Sequence, residues 1–476
     1  SSDVCSSDLG RWTLERSTLF GESLGSAGSA VVTGEGERLR VAQGDATVVL
    51  GSLRAEARGT FGAPGDRLAW TVQAPRLDQL PAMPWTSELA RGLAGAVQAQ
   101  GTLEGSWSRW QVNATARGSE LRGADNVSAR TVNLRASAGN LPQSPFDVTI
   151  EGEQWRATGM ALARARITAQ GTLAQHDIRL GANNDLLDLD ARLQGRWQDA
   201  GWEGAIVSLA NRGSYPLALR APAALELSPT HVHLGRLEAS FGEGRLLVRE
   251  AQWTRGAMPG MGRISSSGEF TDIPSAWLAA PAGLESVRTT LRLGGDWSLE
   301  STPQLNGRFT LRRTGGDVYL EAAGVELGLS KAIIDGRFTQ GSLGAEATVD
   351  ARVGTLRGSI RTSPEPGIEE GLGFTPRSPL ALEANIELAE MRPLLAAFQT
   401  QGRVAGRAVA RLRGSGTLGK PQLEGTLEAT GLGYELPPWG LSVHDGRLRA
   451  RLLGDNMEIT ELFLRSEEHT SELQSH

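Results

Sequence analysis

The chain has 476 residues, of which 39% are apolar, 21% charged and only 5% aromatic. Its formal charge of −6 gives no basic footprint for a nucleic acid, and no apolar run reaches the ~18 residues a membrane helix needs. A single cysteine excludes an internal disulfide and a cysteine zinc site, while 60 glycines, against an ordinary share near ~7%, point to many turns and close backbone approaches.

The two ends form a pair. Residues 1–9 read Ser-Ser-Asp-Val-Cys-Ser-Ser-Asp-Leu, and residues 465–476 begin Arg-Ser-Glu-Glu-His-Thr-Ser-Glu-Leu. One DNA segment codes the first stretch, and its reverse complement codes the second, as in read-through of a sequencing adapter. Both ends are therefore expected to lie outside the natural protein, with 10–464 an internal section of a longer chain. That removes Cys5 and leaves the histidines His176, His231, His233 and His444.

Along the chain, Gly21-Glu22-Ser23-Leu24-Gly25 matches the nucleophile elbow of hydrolases, but a loop and a strand follow where the elbow needs a helix. Turn signals recur at Gly62–Asp66, Asn183–Asp185, Gly315–Asp317 and Gly454–Asn456. Asp78–Leu93, Asp272–Leu284 and Glu390–Gln399 each carry a proline followed by one or two apolar turns, which predicts short helices. A weak repeat of Leu-x-Gly followed by a second strand starts at Leu103, Leu193, Leu293 and Leu412, with Trp107, Trp197 and Trp297 at matching places. The uneven spacing predicts stacked strands with insertions rather than a strict solenoid. Those tryptophans suit either a wedge against the next strand or an amphipathic rim.

His231 and His233 lie two apart on a strand and so share one face, although no third ligand has metal-site spacing. Ser363–Pro379, rich in proline and glycine, reads as a long mobile loop. The strongest signal is alternation. Ala345, Ala347, Val349, Ala351 and Val353 alternate with polar residues, as do Leu380, Leu382, Ala384, Ile386 and Leu388, and again Leu448, Ala450 and Leu452. Each set belongs to one face of its strand, with Glu346, Arg352, Glu383 and Arg449 on the other. Arg447, Arg449 and Arg451 form a basic ladder among acids and read as a solvated face.

The expected fold class is all-β: an elongated, curved, U-sectioned stacked sheet with a few short helices. Its inward positions are small and aliphatic, so the sheet should enclose an apolar groove rather than a filled core. The candidate groove lining is Ala345, Val349, Ala351, Val353, Leu380, Leu382, Ile386, Leu388, Leu448, Ala450 and Leu452. No coupled acid, base, nucleophile or metal cluster is visible, so neither an enzyme nor a cofactor is expected.

The order of strand and turn residues resembles the TamB family of AsmA-like bacterial proteins. Gly402–Gly406, Gly416–Gly425 and Trp439–Leu448 carry the likeness most clearly, with Gly171–His176, Leu305–Gly307 and Gly315–Asp317 upstream. It is expected to hold well over 155–464 and loosely elsewhere. The resemblance implies a β-taco in the periplasm of a Gram-negative bacterium, anchored to the inner membrane by a helix outside this section. It further implies phospholipid acyl chains as cargo, a TamA-like outer-membrane barrel as partner, and a link to outer-membrane protein assembly and secretion. Two other classes remain open: a chaperone-like scaffold that pairs sheet edges with nascent strands, and a β-stacked surface adhesin.

Overall fold

Alternating sequences separated by short Gly, Asn and Asp turns fold back on themselves, and the chain uses this one device almost throughout. The computed structural model describes residues 7–19, 22–33, 40–79, 93–123, 127–157, 160–198, 201–256, 262–275, 287–301, 304–320, 325–365, 374–390, 403–436, 441–454 and 456–466. It divides into two units, Ser1–Ser228 and Pro229–His476.

In the first unit every strand from Ser7–Leu19 to Gly201–Asn211 pairs antiparallel with its predecessor and successor in sequence. Gly201–Asn211 then also receives Leu217–Leu219 and Ala223–Leu227. The second unit repeats the plan from Gly244–Arg255 to Asn456–Ser466, again in chain order. A three-stranded sheet of Val287–Thr289, Val318–Leu320 and Val325–Glu326 accompanies it. The fold is all-β, built from long antiparallel sheets. The strands reach into both flanking stretches, since Ser7–Leu19 and Asn456–Ser466 include residues of each.

Polar side chains fix the turns. Asn184 Oδ1 accepts from the amides of Leu186 and Leu187 while its Nδ2 donates to the Ala161 carbonyl. Asn211 is buried and fully used: Oδ1 accepts from Asp188 and Gly213, and Nδ2 donates to Tyr215. In the Gly62–Asp66 turn the buried Asp66 carboxylate accepts from the Ala63 amide at 2.9 Å and from Arg40 at 2.6 and 2.8 Å. The last residue of the first repeat motif, Gly105, has φ +112°, and a side chain there would collide with the Arg109 carbonyl.

One expectation needs adjustment and another falls largely outside the described residues. Among the described residues the only helical element is the 3-10 turn Leu77–Gln79. The predicted helices fall largely on 80–92, 276–286 and 391–399, outside the described residues, and Asp272–Pro274 belongs to the strand Gly262–Pro274. The stretch 363–379 is not loose at its end. Ser378 is fully buried, its carbonyl accepts from the Leu418 amide, and the Pro376 carbonyl accepts from Gly419.

Candidate functional site: the apolar face of the sheets

Because successive strands pair in near-flush register, alternation within a strand becomes continuity between strands. In the first unit one cross-strand row reads Val72, Ala99, Ala116, Leu134, Ile150, Ile167, Leu180, Ala191, Leu209. The row beside it reads Trp70, Gly101, Ala114, Ala136, Val148, Ala169, Ile178, Leu193, Ile206. No charged or hydrogen-bonding side chain other than the Trp70 indole interrupts these two rows.

The second unit has the same construction, and the sequence-derived lining falls into it. Ala345 opposes Ile360, which opposes Leu382. Val349, Leu356, Ile386, Ala410, Leu427 and Ala450 form the next row but one, and Ala351, Gly354, Leu388, Ala408, Ala429 and Leu448 the row after it. Leu452 ends the row between, reached through Ala347, Gly358, Ala384, Leu412 and Gly425. Leu380 sits opposite Thr362, whose buried hydroxyl has no hydrogen-bond partner among the described residues.

Val353 is placed elsewhere. The strand Ser342–Ala351 ends before it, and Arg352-Val353 makes the turn into Gly354–Thr362. Val353 is 5% exposed, its amide donates to the Leu327 carbonyl, and its own carbonyl accepts from Ala389. The alternation ran on through the turn by coincidence of residue type. Glu346, Arg352, Glu383 and Arg449 are exposed.

The rows are not a closed core. Ile167 and Ile334, each in mid-strand, remain 39% and 37% exposed. Larger buried apolar side chains such as Leu50, Phe61 and Leu329 sit at strand ends. Where residues are small the face closes on itself: Ala408 and Ala429 are buried beneath Leu388, Leu427, Leu432 and Leu448.

Glycines under aromatic rings recur on this face. A side chain on Gly101 would come within 2.6 Å of the Trp70 ring, and Gly268 lies under Trp297 and Gly336 under Phe309 in the same cross-strand pairing. The ring covers the gap the glycine leaves. The three repeat tryptophans are not equivalent. Trp297 donates to Ser266 Oγ, whereas Trp107 and Trp197 are each 52% exposed, Trp107 standing edge-on to Phe61.

The other sequence candidates resolve into local structure. Ser23 lies within the strand Glu22–Thr33, opposite Thr18, so the glycine-flanked serine is no strand-to-helix elbow. The His231 and His233 rings stack with centroids 6.2 Å apart, and His233 Nε2 is 3.3 Å from Glu250. No group of three or more His, Cys, Asp or Glu among the described residues could hold a metal ion. His176, just after the Leu173–Ala174 turn, is buried on the apolar face. Its Nε2 accepts from Trp202 Nε1 at 2.7 Å and its Nδ1 meets the Thr172 carbonyl at 3.0 Å, which fits the neutral Nδ1–H tautomer. The signal for that pair was unreadable, because 26 residues separate them.

On the polar face Asp177 gathers Arg192, Gln194 and Arg179 at 2.6, 3.1 and 3.2 Å. Burial alone would raise its pKa, but the hydrogen bonds from Arg192 and Gln194 outweigh it and hold the carboxyl below its ordinary value. Asp66 is lowered further, to about 2, chiefly by the Arg40 hydrogen bond. Asp177 alternates with Ile178 and so lies on the face away from the apolar rows, while Asp66 secures the Gly62–Asp66 turn.

These features define a class: antiparallel meander sheets, with an aliphatic face in each unit. Residues 21–226 match the family model described as TamB, N-terminal domain, and over that span the chain is TamB-like. Most of the match, 21–154, precedes the stretch 155–464 over which the likeness was expected to hold well. No curated protein and no solved structure matches the chain. No helix among the described residues is long and apolar enough to cross a membrane.

Proposed function

We propose that the apolar face is a path for phospholipid acyl chains, in a periplasmic protein that works between the inner and outer membranes. The observation that supports this reading is the unbroken passage of aliphatic rows from strand to strand, half-buried and open in mid-strand. Burial of a methylene is worth about 0.8 kcal/mol, so a ~16-carbon chain gains on the order of 13 kcal/mol and needs a continuous apolar surface. Movement requires neighbouring positions of nearly equal energy. Val, Leu, Ile and Ala without polar pockets provide that. In this reading a TamA-like outer-membrane barrel is the partner that receives the path.

A photo-reactive residue at Leu382 or Ile386 should capture phospholipid, and one at Glu383 should not. Replacing Ile386 with Arg should abolish capture with modest loss of stability, because an open face lets the charge reach water. Equal capture on both faces, or outright unfolding by Ile386→Arg, would reject the path.

A further inference from the structure

The face opposite the aliphatic rows carries an arrangement that strand stability alone disfavours. Arg308 and Arg337 stand directly opposite each other on Leu305–Gly315 and Leu329–Thr339. The same cross-strand line continues through Gly344 to Arg361. Like charges placed opposite one another destabilise a strand pair. Here none of the three guanidinium groups has a side-chain hydrogen bond or ion pair with the described residues, and all three are exposed. Other arginines of this polar surface are paired: Arg249 reaches Glu269, Arg357 reaches Asp350 and Arg449 reaches Glu461. Three carboxylates on the same face, Asp335, Glu346 and Glu383, lie one row inward, and Glu383 is 3.9 Å from Arg413. Asp335 accepts from Thr310, and none of the three pairs with Arg308, Arg337 or Arg361.

Gly344 makes this a notch rather than a row. A side chain built on it would meet nothing within 4 Å. Arg337, Arg361 and the Ser342 and Ser363 hydroxyls, 3.0 Å apart, are among the groups that line the open pocket above it. With strands ~4.8 Å apart, the two arginines flank the glycine at one strand spacing on either side, within reach of a shared ligand. Planar guanidinium forks match the oxygens of phosphate.

We propose that this notch is an oxyanion site that takes a phosphoryl group, with Arg337 and Arg361 as the clamp, Arg308 as the flanking charge and Gly344 as the floor. The anion offsets the repulsion between Arg308 and Arg337. The phosphoryl group can come from a lipid headgroup or from free phosphate. Because the notch and the aliphatic rows occupy opposite faces, the acyl-chain path does not depend on it.

The test uses the full chain with two probes: inorganic phosphate, and vesicles of phosphatidylcholine with and without phosphatidylglycerol. Arg337→Gln/Arg361→Gln removes the clamp. Gly344→Val fills the notch without changing charge, and valine favours a strand. Arg407→Gln/Arg411→Gln is the control for charge elsewhere on this unit. Phosphate is expected to raise the melting temperature of the wild type and of the control. Affinity should fall roughly tenfold or more for each arginine lost, and comparably in Gly344→Val. Phosphate binding without vesicle binding assigns free phosphate. Retention on phosphatidylglycerol vesicles that both notch variants lose assigns the headgroup. Absence of binding to either probe, or binding that survives Gly344→Val, overturns the site.

Discussion

Two patches of apolar face solve the same packing problem differently. In the second unit Ala408 and Ala429 lie buried under Leu388, Leu427, Leu432 and Leu448, and no polar atom takes part. In the first unit the comparable ground is held by rings. Trp202 covers Gly195 and Gly204 and donates to His176, which lies against Phe146. Aliphatic packing is adaptable, since each contact resembles the next. A hydrogen bond between two buried rings has one geometry and no substitute. No single contact fixes the aliphatic patch, whereas the ring patch is held by one directional bond.

The largest effect should therefore come from the ring patch. Trp202→Ala removes a nearly fully buried indole and leaves the His176 acceptor unpaired inside an apolar surface. A loss of about 3–5 kcal/mol is expected on unfolding by denaturant. Trp202→Phe keeps the ring but not the donor and should cost about 1–3 kcal/mol, the desolvation of one orphaned acceptor. If the two substitutions proved equal, the hydrogen bond would not be what distinguishes this patch.

The aliphatic patch should respond to volume instead. Ala429 is 1% exposed, so Ala429→Leu forces extra methylenes into closed ground and should cost about 1–3 kcal/mol. The same substitution at Ala384, half-buried in mid-row, should cost less, because the face there is open. Equal costs would mean that the rows are sealed along their whole length.

Most of the sheet was legible because it needs only local information. Alternation in Leu380–Leu388 or Leu448–Leu452 fixes the face of each residue, and short turns force neighbouring strands together. What was hidden depends on register. The pairing of His176 with Trp202, the opposition of Arg308 and Arg337, and the glycine beneath each ring all join residues whose separation carries no pattern. Val353 shows the reverse failure, where a pattern continued past the end of its strand. The repeat tryptophans share a motif position but not an environment, since Trp197 ends a strand in solvent and Trp297 lies over Gly268.

The smallest effect is an acid one, and it separates the two units by charge rather than by packing. Asp66, held well below the ordinary carboxylate range, and Asp177, held below it, both belong to the first unit. A carboxyl whose pKa is lower in the folded state favours folding only while it is ionised there and would be ionised in the unfolded chain. For Asp66 the stabilisation is complete above the ordinary value of 3.8 and is lost as the pH falls toward about 2. Asp177 moves in the same direction. Acidification should then weaken the first unit before the second. Fluorescence of Trp202 and Trp70 should report a transition in that window ahead of any change at Trp297. Asp66→Asn should be less stable than the wild type at neutral pH and should show a flatter melting temperature between about pH 4 and pH 2, because the proton uptake that drives the loss has been removed. Arg40→Gln should flatten the same segment, since Arg40 is the main cause of the shift. A wild-type profile already flat across that range, or one whose Trp297 signal moved first, would show that the acid-sensitive contacts do not set the weaker unit.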